Sequence, residues 1–492
     1  MNGPDLTGTD RGALTSTLTT TEPSRRSVLL NRLLAVLVAV AAVAGLVYGY
    51  LADPLGWFDT GSEVAAVGSA AIDPAAPSTD GGATAEDVLD AAPIEAVDDE
   101  PAAGGEADPA GSSADDDIAD TANDAALPVG ATTAFTDLAT TRILDTRRPP
   151  EGAADDAVGN PVDPGAVVTV ELPESVPSAA ATVVLSVNVA QAQGPGAISV
   201  DAGAESVTAI EVARAGQMTT NLVFVPLVDG TPLTVATVGG GHLVVDVVGY
   251  FSPSGAATAG RFVPVATQRV ARLVTEVDGR EAVVSPLANP ALPASGVAAV
   301  MVRITADVGS EGGMVRLGED LDTLPNTMMW AATSGDDRTR QGVAIVSLSE
   351  LDELAFTYNG GSVLDLDVLG YFTDDSALAA ETGLFQARAA SQAVSVDVVA
   401  GEPTTVDVAS VLGVPAGSIS AVAVGAVAVA DLPGELRIAG PDQGAPTSAT
   451  VELGAGRRFG VTATEVGSDG TIVLTSDVDT TVTLTLPGYF LG

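Results

Sequence analysis

The densest charged cluster in the last three quarters of the chain is Arg142, Asp145, Arg147 and Arg148. Two guanidinium forks beside a carboxylate can grip a sugar carboxylate, a phosphate of a wall polymer, or the acidic loop of a neighbouring domain. On an extended chain Asp145 and Arg147 share one face, while Arg142 points to the other. The same residues also suit an ion pair that pins a strand or a seam between domains. Arg142, Asp145 and Arg147 are therefore the candidate ligand-binding residues, with that ion pair as the competing reading.

Other chemistry finds little material. His242 is the only histidine, so a His-based triad or a multi-histidine metal centre has no parts. The absence of cysteine removes thiolate chemistry, disulfides and Cys-type zinc sites. A glycosidase needs two opposed carboxylates in a cleft, and beyond residue 57 Trp330 is the only tryptophan available to line one. No catalytic, cofactor-binding or metal-binding residue is assigned, and the expectation is a protein that is not an enzyme. The net charge of −44 excludes a nucleic-acid partner, which needs a basic face, and disfavours docking on anionic lipid. Every basic residue is Arg.

The elements that carry these residues come in three copies. A hydrophobic run ends in Gly-Tyr-Phe at Gly249-Tyr250-Phe251, Gly370-Tyr371-Phe372 and Gly488-Tyr489-Phe490. Each copy opens on a phenylalanine, Phe135, Phe262 or Phe385. Ala139-Thr140 and Arg142 of the first copy match Ala266-Thr267 and Arg269 of the second; Gln392 takes the Arg place in the third. Repeat two carries Arg272 and Leu273 where repeat one has Asp145 and Thr146, which argues against a shared site.

Within the copies, apolar residues alternate in Thr182–Val189, Ala299–Thr305 and Ala421–Val427, the period of half-buried strands. The runs starting at Asn221, Gln341 and Phe459 align with one another. Turns at Asp229-Gly230, Asn359-Gly360-Gly361 and Asp469-Gly470 then lead into the final strands. Nothing from 132 onward reads as a helix. Short strands at this spacing, about a domain per copy, predict an all-β chain of three tandem antiparallel β-sandwiches, jelly-roll-like, at 132–253, 260–373 and 383–492. One ring of each Tyr-Phe pair is expected to point into the core. The three units either pack about a pseudo-threefold axis as an intramolecular pseudo-trimer or string out as beads.

The opening FTDLATTRILDTR and the close VDVVGYF resemble a β-repeat of secreted and cell-surface actinobacterial proteins. That group occurs as tandem domains, sometimes beside cell-wall or protein hydrolases. The resemblance implies an extracytoplasmic setting and a β-domain, and carries no defined activity. It is fullest in repeat one, partial in repeat two, and rests mainly on Gly-Tyr-Phe in repeat three.

Ahead of the repeats, residues 1–32 form a polar tail with Arg11, Arg25, Arg26 and Arg32. Residues 33–51 are an uncharged apolar segment long enough for one transmembrane helix. Arginines precede it, and no basic residue follows until Arg142, so the positive-inside rule places the tail in the cytoplasm and the repeats outside. A cleaved export signal is the alternative, because Arg25-Arg26 and Ala42-Val43-Ala44 suit one. Residues 52–131 hold nineteen acidic residues and no basic one, the composition of a disordered acidic stalk.

The function expected from these features is a membrane-anchored, extracellular structural or adhesive protein. It would contact a cell-wall polymer or another envelope protein and be held in the plasma membrane through 33–51. An accessory or sensing subunit of a membrane complex is the alternative, for which Ala35, Ala39, Ala42 and Gly45 offer a helix-packing stripe. A cell-wall polysaccharide hydrolase is the third reading.

Overall fold

The computed structural model describes residues 131–492 apart from 149–158, 204–205, 275–279, 309–311, 323, 332–338, 445 and 447. The expected tail, membrane helix and acidic stalk lie outside the described residues. Among those described, no helix is long and apolar enough to cross a membrane.

Repeat one consists of β1 (Thr132–Asp145), β2 (Val167–Val170), β3 (Thr182–Ala190), β4 (Gly196–Asp201), β5 (Val207–Val212), β6 (Thr219–Pro226), β7 (Leu233–Thr237) and β8 (His242–Pro253). Repeat two follows with β9 (Phe262–Val274), β10 (Arg280–Val284), β11 (Val297–Val308), β12 (Gly313–Gly318), β13 (Asn326–Trp330), β14 (Thr339–Ser347), β15 (Leu354–Asn359) and β16 (Gly361–Thr373). Repeat three has β17 (Phe385–Val398), β18 (Thr404–Asp407), helix α1 (Val408–Leu412), β19 (Ile419–Ala430), β20 (Gly434–Ala439), β21 (Val451–Leu453), β22 (Gly456–Glu465), β23 (Thr471–Ser476) and β24 (Thr480–Leu491).

Each repeat folds into two antiparallel four-stranded sheets wound in the same order. The inner sheets run β1-β8-β3-β6, β9-β16-β11-β14 and β17-β24-β19-β22, the first and third joined through β1 and β17 into one eight-stranded sheet. The outer sheets run β2-β7-β4-β5, β10-β15-β12-β13 and β18-β23-β20-β21. Counting strands within a repeat, 1-8-3-6 faces 2-7-4-5, the winding of an eight-stranded jelly roll. Between the two sheets lies a core of Val, Leu, Ile and Ala, with Trp330 and Phe356 added in repeat two.

A fourth core lies outside all three sandwiches, between their inner sheets. It holds Phe135, Phe251, Phe262, Phe372, Phe385 and Phe490 from the two ends of each repeat, with Phe224, Met301 and Ile345 beside them. In-register pairing puts Phe135 across from Phe251, Phe262 from Phe372, and Phe385 from Phe490. Their ring centroids stand 5.2, 5.2 and 5.1 Å apart. Contacts between repeats close the set: Phe135 to Phe372 at 4.3 Å, Phe262 to Phe490 at 4.5 Å and Phe385 to Phe251 at 4.6 Å. The same contacts recur three times, so the aromatic cluster has near-threefold symmetry.

This cluster explains the Gly of each Gly-Tyr-Phe. In a strand, residues two apart share a face, so Gly and Phe both look into the fourth core while Tyr looks back into its own sandwich. A Cβ on Gly249 would lie 2.6 Å from the Phe135 ring, and one on Gly370 or Gly488 would overlap Phe262 or Phe385. Tyr371 and Tyr489 accordingly pack with the sandwich cores of repeats two and three.

The main chain completes the closure. Phe135 N–H donates to Gly260 O at 2.9 Å, and Phe262 N–H donates to Gly383 O at 2.8 Å. At the third place Thr133 pairs with Phe385, joining two inner sheets, and its hydroxyl donates to Phe385 O at 2.8 Å. Gly260 and Gly383 have φ of 76° and 87°, a region that suits glycine.

Three sequence expectations change. β3, β11 and β19 are buried on both faces, not one, because the inner sheets are sandwiched between two cores. Repeat three does contain a short helix: the Asp407 side chain accepts from Ser410 N at its start, and Gly413 ends it at φ 68°. The third alignment slips by one residue. Phe224, Ile345 and Ala463 share a level, facing Val184, Met301 and Ala423. Thr220, rather than Asn221, is therefore the counterpart of Gln341 and Phe459. A one-residue slip exchanges the faces of a strand.

Candidate functional site

Arg142 sits opposite Asp246 in the β1–β8 ladder and pairs with it through Nε at 2.8 Å and Nη2 at 3.3 Å. Its Nη1 donates to Asp145 at 2.9 Å. Arg147 meets the same carboxylate through Nε and Nη2, both at 2.8 Å, and reaches Met329 of repeat two. All three predicted residues are thus brought together, and Arg142 does not point away from Asp145. The cause is an irregular register between Arg142 and Leu144, followed by a turn after Asp145, which cancels the strict alternation of faces. His242 stands nearby, with Nδ1 3.2 Å from Thr146 O.

The electrostatics are those of a satisfied network. Burial works against the charge on Arg142, but Asp246 and Asp145 outweigh it and hold its pKa up. Burial likewise disfavours the Asp145 anion, yet Arg147 and Arg142 hold its carboxyl below the ordinary range. The side chains of Asp145 and Asp246 are almost wholly buried, at 5% and 2% exposure. The cluster ties β1 to β8 beside the seam with repeat two, and its carboxylates face the protein.

Repeat two rebuilds the arrangement from different positions. Arg269 sits opposite Asp367, with contacts of 3.0 and 3.2 Å, and Asp365 stands 2.8 Å from its other nitrogen. Asp365 thereby fills the role of Asp145 from the neighbouring strand. Asp367 also stands in register with Arg303, which is fully buried and crosses into repeat three. Arg303 donates to Thr462 Oγ1 at 2.9 Å and lies 3.4 Å from Ser448 Oγ. Burial lowers its pKa to about 10, opposed by Asp367. In repeat three the level of Asp246 and Asp367 is held by Thr485, whose hydroxyl donates to Gly425 O at 3.2 Å. Asp246 and Asp367 carried a readable signal, one carboxylate three residues before each of the first two Gly-Tyr-Phe motifs, but their partners follow only from register.

A second place was not visible in the sequence. β6, β14 and β22 come together along the junction of the three repeats. Their N-terminal ends surround a cavity of about 660 Å³. Arg214, Gln217 and Thr219 line it from repeat one, Thr339, Arg340 and Gln341 from repeat two, and Glu435, Glu452, Arg458 and Phe459 from repeat three. Ion pairs brace its wall: Arg457 with Glu211 at 2.8 Å across repeats, and Arg437 with Asp477 at 3.0 Å and with Glu435. Gln341 Nε2 donates to Glu452 Oε1 at 3.2 Å. Burial, with Glu435 and Asp477 adding to it, raises the Glu452 pKa to about 7 against the pull of Arg437 and Arg340. Among the described residues no cluster of His, Asp and Glu has the form of a metal site.

No family model matches the chain, and neither does any curated protein. One similar solved structure is titled "The Triple Jelly Roll Fold and Turret Assembly in an Archaeal Virus". It is 10% identical, with a TM-score of 0.15 over 73% of this chain and 91% of that one. At that score it carries no argument.

Proposed function

We propose that the chain is a membrane-anchored, extracellular, non-enzymatic protein whose three β-domains form one rigid adhesive or structural body for contact with the cell envelope. The fourth core carries the reading. Six phenylalanines shared among three repeats make a single body of them, where a string of independent binding beads would need no common core. The apolar segment at 33–51 and the acidic stretch at 52–131 supply the anchor and the spacer. The Arg142–Asp145–Arg147 cluster belongs to the stability of this body, since its ion pairs are spent internally.

The test is retention of the full chain, purified in detergent, on isolated cell wall and on solubilised envelope proteins. Retention on wall, or on a discrete envelope protein, supports the reading. Release of soluble sugar from the wall would replace it with a hydrolase, and retention on neither would remove the adhesive role. Arg142→Ala should lower the unfolding midpoint and leave retention of the folded fraction unchanged. Loss of retention with the fold intact would return Arg142 to a binding site.

A further inference from the structure

The geometry points to the three-repeat cavity as the binding site, and to a neutral, hydroxyl-rich ligand, a short oligosaccharide, as its occupant. This rests on the reading of the protein as one that contacts an envelope polymer. At about 660 Å³ the cavity lies within the usual range for small-molecule sites. No single repeat forms it, since all three contribute wall residues.

Both signs of charge line it, Arg214, Arg340 and Arg458 among five carboxylates, and most of the carboxylates are already engaged. Glu211 is held by Arg457, Glu435 and Asp477 are held by Arg437, and Glu452 is hydrogen-bonded to Gln341. Such a wall favours neither a strong anion nor a strong cation. It offers fixed donors and acceptors side by side, which is what vicinal hydroxyls use, and groups already held in place lose less entropy on binding.

Two glycines shape the surface. A Cβ on Gly454 would lie 2.6 Å from Arg458 Nη2, so the bare backbone lets the guanidinium lie across it. A Cβ on Gly425 would lie 3.3 Å from the Phe459 ring, so that ring rests on another bare backbone segment. Phe459, also a lining residue, gives the cavity an aromatic surface on which the C–H face of a sugar can stack.

The experiment is titration calorimetry on the detergent-purified full chain with neutral di- to tetrasaccharides of hexoses and N-acetylhexosamines. Matched panels carrying a uronic acid or a phosphate run alongside. At least one neutral saccharide should bind. Ala455→Trp, which puts a bulky ring on an exposed lining position, should weaken that binding about tenfold or more. Phe459→Leu keeps apolar volume while removing the stacking surface, and should weaken binding in the same direction. Far-ultraviolet circular dichroism and the thermal unfolding midpoint report whether each variant is folded. The proposal is overturned if no neutral saccharide binds, if only charged panels bind, or if both folded variants bind as the parent does. Wall retention that survives Ala455→Trp would sink the cavity and spare the envelope-contact reading. Saccharide binding without wall retention would do the reverse.

Discussion

The strands β6, β14 and β22 have two unlike ends. At one end their side chains join the phenylalanine cluster; about 16 Å away, five residues along a strand, they line the charged cavity. At the aromatic end these strands add Phe224, Ile345 and Ala463 to a set of six phenylalanines from the repeat ends, whose corresponding distances between repeats agree within 0.3 Å. At the cavity the equivalent positions are Thr219, Arg340 and Arg458, followed by Gln341 and Phe459 in repeats two and three and by the buried, non-lining Thr220 in repeat one, and these share almost no chemistry. Packing three copies about one axis is served by the opening and closing phenylalanines, which every repeat presents alike, while the residue that β6, β14 or β22 adds beside them varies. At the cavity the three copies have no such shared residue, and their lining side chains differ.

Phe251→Ala should break the comparison most severely. Phe251 is fully buried, and its ring stands within 6.4 Å of the rings of Phe135, Phe224, Phe372, Phe385 and Phe490. Removing a core phenylalanine costs about 3–5 kcal/mol. Denaturant unfolding of the full chain, with Trp57 replaced by Phe so that Trp330 alone reports, should show a large fall in midpoint. A loss below about 1 kcal/mol would mean that the aromatic cluster is incidental to holding the repeats together.

Gly370→Ala probes the same end by overpacking. The added methyl would overlap the Phe262 ring, so ring and strand must shift at a cost of about 1–3 kcal/mol. The effect should persist when repeat one is left untouched, because each Gly–Phe contact is internal to its repeat while the cluster is shared. An unchanged midpoint would show that the ring has room to move.

Much of this end was legible in the sequence and part was not. Opening Phe and closing Gly-Tyr-Phe are visible as repeats, and they mark the residues of the shared core. That Phe135 covers Gly249 depends on antiparallel register between strands more than a hundred residues apart, which no local pattern states. The Arg142 cluster was visible as residues, but its orientation was hidden by an irregularity in β1, and its main partner Asp246 by the same distance in sequence. The cavity left no signature, because its wall is assembled from loops and strand ends of three repeats, each chemically ordinary alone. Helix α1 was missed for a different reason: five residues are too few for a helical period, and only the Asp407 and Gly413 caps announce it.

Asp246→Ala separates repeats one and three. Thr485 already occupies this level in repeat three, so a carboxylate there is not required by the fold itself. In repeat one, however, the change leaves Arg142 with Asp145 alone. Because Arg142 is about a quarter exposed, water can compensate in part, and the expected loss is about 1–2 kcal/mol. Adding Arg142→Ala, the residue type that the register places opposite Thr485 in repeat three (Ala393, not the Gln392 that the sequence alignment suggests), should restore part of the loss. If the double variant is less stable than Asp246→Ala, the guanidinium acts through something other than its carboxylates.

The remaining effect belongs to the cavity end and is read from pH. Glu452 goes from an ordinary value of 4.5 to about 7 in the folded protein, driven first by burial and then by Glu435 and Asp477. Between those values the folded chain keeps a proton that the unfolded chain has released, so stability falls as pH rises from about 4.5 through 7 and is level above. Asp145, held low by Arg147 and Arg142, has the opposite sign: its contribution is lost as pH falls below the ordinary carboxylate range. The two windows are therefore separable in one titration of midpoint against pH. Glu452→Gln keeps a polar group beside Gln341 and removes the titration, so it should flatten the profile between pH 4.5 and 7 and leave the acid limb intact. A parent profile that is already flat in that interval would mean that Glu452 is solvated, and that the cavity wall is looser than its ion pairs and the Gln341 contact require.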